Sequence, residues 1–188
     1  MSPDEARAAL DGAASTRSRL AGALRLPPYF HPLLGVGIGV HVGLTAWALT
    51  SGGASSGRAD ARTLGLVAIG LVVFVAVALV DVVGFRRLNG ATVDGLVSRV
   101  VLGTGWLSST VYAAGLALAV WAGFADLAWL LVVVAVATGA GYATAGSRWW
   151  SAYRADPERH APAESWRQLA VVLLVALACV VVLVVAGR

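Results

Sequence analysis

The sequence predicts an all-α protein: an integral membrane bundle of five transmembrane helices, with a short amphipathic helix at the N-terminus on the cytosolic or interfacial side. Three observations predict it. The chain of 188 residues is 59% hydrophobic and only 13% charged, whereas a soluble domain has about 45–50% apolar and about 25% charged residues. The apolar residues gather into five runs, each near the about 20 residues that cross a hydrocarbon core of about 30 Å. The arginines, finally, fall mostly on alternate connections, as the positive-inside rule requires. Mean hydropathy is +0.80. No second compositional regime interrupts the chain, so residues 1–30 read as an N-terminal segment and 31–188 as one bundle.

The N-terminal segment does not read as a signal peptide, because Asp4 and Glu5 stand where basic residues belong and no apolar core precedes Pro27 and Pro28. Ser2-Pro3-Asp4-Glu5 is a capping box with proline at the first helical position. Ala6, Leu10, Ala13, Leu20 and Leu24 fall roughly on one face, broken by Arg17. Such a helix suits either solvent or a headgroup layer that attracts Arg17, Arg19 and Arg25. The two prolines stop it, and Tyr29 and Phe30 suit the interface.

The first span, about 33–50, reads LLGVGIGVHVGLTAWAL from Leu33 to Leu49. Gly35, Gly39 and Gly43 recur every four residues and line one side of a helix, where another helix can approach closely. Gly37, His41 and Thr45 mark a different side. A Gly/Ser loop, Thr50 to Arg62, leads to the second span, about 63–84, which is aliphatic until Asp81. A polar connector, Gly84 to Arg99, holds Arg86, Arg87 and an Asn89-Gly90 turn, and Thr92 is placed to cap the third helix. That helix spans about 100–122. A tight turn at Gly123–Ala125 with Asp126 leads to the fourth span, about 126–146. Ser147 to Arg167 reads as a polar loop containing Pro157 and Pro162, and the fifth span covers about 168–186.

Counting arginines orients the bundle. With the N-terminus inside, eleven lie on the inner segments: Arg7, Arg17, Arg19, Arg25, Arg86, Arg87, Arg99, Arg148, Arg154, Arg159 and Arg167. Three lie outside: Arg58, Arg62 and Arg188. This bias predicts a multi-pass protein of the cytoplasmic membrane with its N-terminus cytosolic and its C-terminus outside. Tryptophans agree, with Trp47, Trp121 and Trp129 toward one interface, Trp149, Trp150 and Trp166 toward the other, and Trp106 deeper. Every basic residue is arginine, which with the abundant Ala, Val and Gly reads as coding bias. The net charge of +4 therefore serves orientation and does not point to nucleic acid. The partners expected are the lipid bilayer and, through the transmembrane helices, another protein or a second copy.

Small residues every four positions mark the faces that pack. The third span has Gly105, Ser109, Ala113 and Ala117, and the fourth has Ala135, Gly139, Ala143 and Ser147. Spans one, three and four should form the tight core, with two and five, rich in Val and Leu, more exposed to lipid or to a partner.

Polar residues at membrane depth are costly and mark candidate sites. His41 stands at mid-span, Ser108, Ser109, Thr110 and Tyr112 cluster in the third span, and Thr138 and Tyr142 lie one turn apart in the fourth. A binding pocket formed by His41, Ser109, Tyr112, Thr138 and Tyr142 could hold a small solute or relay protons, since histidine titrates near neutral pH. The plainer reading makes His41 a neutral hydrogen-bonding tie between helices. Asp81, the remaining candidate, either is neutralised by the nearby Arg86 and Arg87 at the interface, or faces Arg99, or forms part of an ion site.

Other chemistry finds little footing. Cys179 is the only cysteine and lies in an apolar run, so it forms no intrachain disulfide and no thiolate metal site. Haem ligation by two histidines needs both buried, whereas His31 falls at the interface and His160 in a loop. Gly35-Val-Gly37 and Gly103-Thr-Gly105 follow no strand, and no HExxH, P-loop or GxSxG motif occurs. No catalytic residues, metal or cofactor are expected, and the chain does not read as an enzyme. In the segment Arg148 to Arg167, Trp149, Trp150, Tyr153 and Trp166 interleave with four arginines. It reads either as an aromatic belt or as a docking surface for a cytosolic partner or anionic lipid. Two functions remain: an accessory or subunit membrane protein acting through helix packing and its cytosolic face, and a small homo-oligomeric transporter or channel for a small solute or protons.

Overall fold

The computed structural model describes residues 2–51, 61–90 and 106–157. Among these the protein is all-helical, with α1 at Pro3–Ala23, α2 at Phe30–Ser51, α3 at Ala61–Asn89, α4 at Trp106–Phe124 and α5 at Ala128–Ala155. Four of them, α2 to α5, are long and apolar enough to cross a membrane. The expected fifth span at 168–186, the Thr92 cap, Gly105, Arg99, Arg159, His160, Trp166, Cys179 and the side chain of Trp106 lie outside the described residues.

α1 starts as its sequence dictates. The Ser2 hydroxyl accepts the Glu5 amide at 3.2 Å, and the Glu5 carboxylate accepts the Ser2 amide at 2.7 Å. Leu10 and Leu20 are exposed, and α1 touches the bundle mainly at its end, where Ala21 is buried and the Arg154 guanidinium donates to the Gly22 carbonyl at 3.2 Å.

α2 is the central helix and packs against α3, α4 and α5. Its line Phe30, Leu34, Ile38, Val42 and Ala46 is buried at four-residue spacing and anchors the core. Pro32 is tolerated in its first turn because the amide it lacks has no helical acceptor there. The two small-residue rows of α2 and α5 meet. A Cβ on Gly35 would stand 2.7 Å from the Gly139 carbonyl oxygen and 3.0 Å from Ala143 Cβ, and one on Gly39 would stand 3.1 Å from the Ala135 carbonyl oxygen. The backbones are thus close enough that only glycine fits at the crossing.

α3 is the most exposed of the four candidate spans, as expected, yet one of its faces packs on α2. Its contacts run down Gly70, Phe74, Val77, Asp81 and Gly84, alternating steps of four and three. A Cβ on Gly37 would meet Val77 at 3.3 Å, one on Gly70 would meet His41 at 3.4 Å, and Gly84 lies against Tyr29 and Pro27. This is a heptad seam, which a search for four-residue rows passes over. The opposite face of α3 remains exposed, as at Val72 and Leu79. α4 likewise differs in its packing face. Ser109, Ala113 and Ala117 are only half-buried, whereas Ser108, Gly115, Ala119 and Ala122 are buried.

Two helices run beyond their apolar stretches. α3 continues through the expected connector to Asn89, whose side chain grips the chain after α1: Nδ2 donates to the Arg25 carbonyl at 2.8 Å and Oδ1 accepts the Arg25 amide at 2.9 Å. Gly90 ends it with φ 66°, a left-handed conformation natural to glycine. α5 continues through Ser147 to Ala155, part of the expected loop. Polarity ends a span, but only the approach to Pro157 stops this helix. Its last turns carry Trp149 and Trp150, both ring-stacked with Tyr153. At the opposite end of the bundle Trp47, Trp121 and Trp129 are exposed together, as in an aromatic belt. Between α4 and α5, Asp126 takes φ 55° in a turn closed by the Leu127 amide on the Ala122 carbonyl at 2.9 Å.

Candidate functional site

Of the five residues expected to form a pocket, the structure joins His41 and Tyr112 by a hydrogen bond and brings Tyr142 close enough to Tyr112 for the two phenols to interact. His41 projects from α2 between α3 and α4. Its Nε2 lies 3.0 Å from the Tyr112 hydroxyl, and the two rings are near parallel, 6.1 Å apart. Phe74 of α3 closes the other side at 6.3 Å, and Gly70 leaves room for the imidazole. Nδ1 is buried without a partner. Tyr142 is buried on α5 at the level of Tyr112, a register set by the packing of Gly141 on Val111. Thr138 is buried against Gly115, and its hydroxyl donates to the Val134 carbonyl of its own helix at 2.7 Å. That hydroxyl is therefore committed to the backbone and not turned toward a ligand. Ser109 is half-buried and joins neither His41 nor Tyr112.

Asp81 does not behave as its sequence neighbours suggest. It is 0% exposed, and among the described residues neither carboxylate oxygen has a partner. Arg86 and Arg87 are exposed. They follow at i+5 and i+6, positions that lie on other sides of a helix, whereas only i+3 and i+4 share a face. Neutralisation by these arginines is thus corrected. Asp81 instead occupies the heptad seam facing α2, where the antiparallel register set by Gly70 on His41 and Gly84 on Tyr29 places it beside Phe30 to Leu33.

Two further buried polar groups lie outside the expected pocket. Ser108 is 1% exposed with no partner for its hydroxyl. It was visible in the third-span cluster, but only the packed face of α4 separates it from Ser109. His31 is the second residue of α2. Both ring nitrogens are buried without partners, its ring meets Phe30 edge-on at 5.4 Å, and Gly146 packs against it. Among the described residues no three His, Cys, Asp or Glu side chains gather to hold a metal ion. An open concavity lies elsewhere: a groove of about 640 Å³ between α2 and α5, walled by apolar residues such as Val36, Val40, Val132 and Val136 over a floor including Gly39 and Ala135.

No protein family, curated protein or solved structure matches this chain. Its helices are those of a membrane protein by length and apolarity, and any more specific role rests on the residues themselves.

Proposed function

We propose that the protein is a multi-pass accessory or subunit protein of the cytoplasmic membrane, with a cytosolic N-terminus and a fifth span at 168–186, acting through its helix faces and cytosolic surface. One observation carries the reading: His41, Asp81, Ser108, Thr138 and Tyr142 are packed between helices, whereas the groove between α2 and α5 is open and apolar. His41 is stacked and bonded to Tyr112, and Thr138 is bonded to its own backbone. An interhelical bond such as His41–Tyr112 is worth about 0.6–2 kcal/mol, enough for a structural tie. The exposed aliphatic face of α3, as at Ile69, Val72 and Leu79, supplies surface for a membrane partner.

A second reading, a homo-oligomeric proton or small-solute transporter, draws on Asp81 and Ser108. An unpartnered acid at membrane depth is a functional candidate by default. Proteoliposomes decide between them. The accessory reading expects the purified protein to leave an imposed proton gradient intact. Dissipation by the natural protein that is lost in Asp81→Asn would establish transport instead.

A further inference from the structure

The α2–α5 groove has a shape and a position that specify its occupant. α2 borders α5 through Gly35 and Gly39, α4 through His41 and Tyr112, and α3 through Gly37 and His41. Its remaining side, Val36, Val40 and Trp47, is exposed. At about 100° per residue these three fall within about 40° of one another, between the sides that face α5 and α3. Among the described helices, one helix-wide gap thus remains in the ring around α2.

We infer that Gln168–Ala186 of this same chain fills that gap, lying in the α2–α5 groove parallel to α2. The segment QLAVVLLVALACVVVLVVA has no charge and complements walls of valine and leucine. Its 19 residues make a helix of about 28 Å, and the groove from Pro32 to Trp47 measures about 22 Å along α2. The connection reaches. α5 ends about 18 Å beyond Ala143 at the groove mouth, and the eleven steps from Pro157 to Gln168 extend to about 36 Å. Tethering gives this occupant a high effective concentration, which a second copy lacks. The inference rests on the five-span reading.

Cys179, the only cysteine, supplies the probe. In the parallel register it lies level with Gly43 of α2 and Val132 of α5. In the full-length protein in native membranes, Leu44→Cys and Val132→Cys are oxidised beside two controls facing away from the groove, Val72→Cys and Leu118→Cys. Each is repeated with the thiol moved to Ala176, Leu177 or Ala178 in a Cys179→Ser background, which samples every rotation of the segment. The expected result is an intrachain disulfide, identified by peptide mass, at the groove positions and at neither control, since bridging requires Cα atoms within about 7 Å. Intrachain links to the controls, only interchain dimers through the groove, or no link at any rotation would each overturn the inference. Accessibility labelling of Arg188→Cys in a Cys179→Ser background checks the five-span reading separately. Labelling from the N-terminal side of the membrane removes the span itself, whereas labelling from the far side with failed groove links removes only the docking.

Discussion

Gly35→Ala is the substitution whose cost the structure states most directly. The new methyl would stand 2.7 Å from the Gly139 carbonyl oxygen and 3.0 Å from Ala143 Cβ, where ordinary contact begins at 3.4 Å. Relief needs about 0.7 Å of separation, and the first obstacle is backbone, which cannot rotate aside. The helices must part along the whole crossing, so the methyl also loosens Gly39 against Ala135. Overpacking of this kind costs about 1–3 kcal/mol. The proper control is Gly65→Ala, where a Cβ meets nothing within 4 Å. There the gain in helix propensity is up to about 1 kcal/mol. Thermal unfolding of the two variants in the same detergent should therefore separate them by about 1–4 kcal/mol, with Gly35→Ala the less stable. Equal midpoints would refute the close crossing of α2 and α5.

Further outcomes follow from the same geometry. A double-mutant cycle of His41→Ala and Tyr112→Phe should give a coupling of about 0.6–2 kcal/mol in unfolding stability. Additive effects would mean that the 3.0 Å pair contributes nothing. Asp81→Leu removes a buried group without partners and retains apolar volume, so stability should hold or rise by about 1–3 kcal/mol. A clear loss would reveal a partner that Asp81 needs. Asn89→Ala deletes both bonds to the Arg25 backbone, and limited proteolysis should then cut between Ala23 and Phe30 faster, with a stability loss of about 1–3 kcal/mol. Unchanged cleavage would show that the clamp does not hold the segment.

What the sequence revealed and what it concealed have the same cause. Small residues every four positions on α2 and α5 announce a close crossing, because both the spacing and the small side chains survive in the primary structure. The α3 seam was hidden because Phe74, Val77 and Asp81 lie between its two glycines, and bulk on a packed face resembles bulk facing lipid. Asp81 and Arg86 are neighbours in the chain but not on the helix, a distinction that proximity in sequence obscures. Ser108 and Ser109 differ only in which side of α4 is packed, and that is decided by α2 and α5. Hydropathy locates where a span ends but not where a helix ends, so the turns carrying Trp149 to Tyr153 read as loop. The union of His41 with Tyr112 was legible because both stand at mid-span on helices expected to pack. The commitment of Thr138 to its own backbone was not.

The central claim is that this bundle serves as part of a larger membrane assembly, and native mass spectrometry after gentle extraction from the source membrane tests it most directly. A defined complex containing a second polypeptide is the predicted result. A homo-oligomer carrying no other protein would contradict it and move the weight of the argument to transport through Asp81 and Ser108.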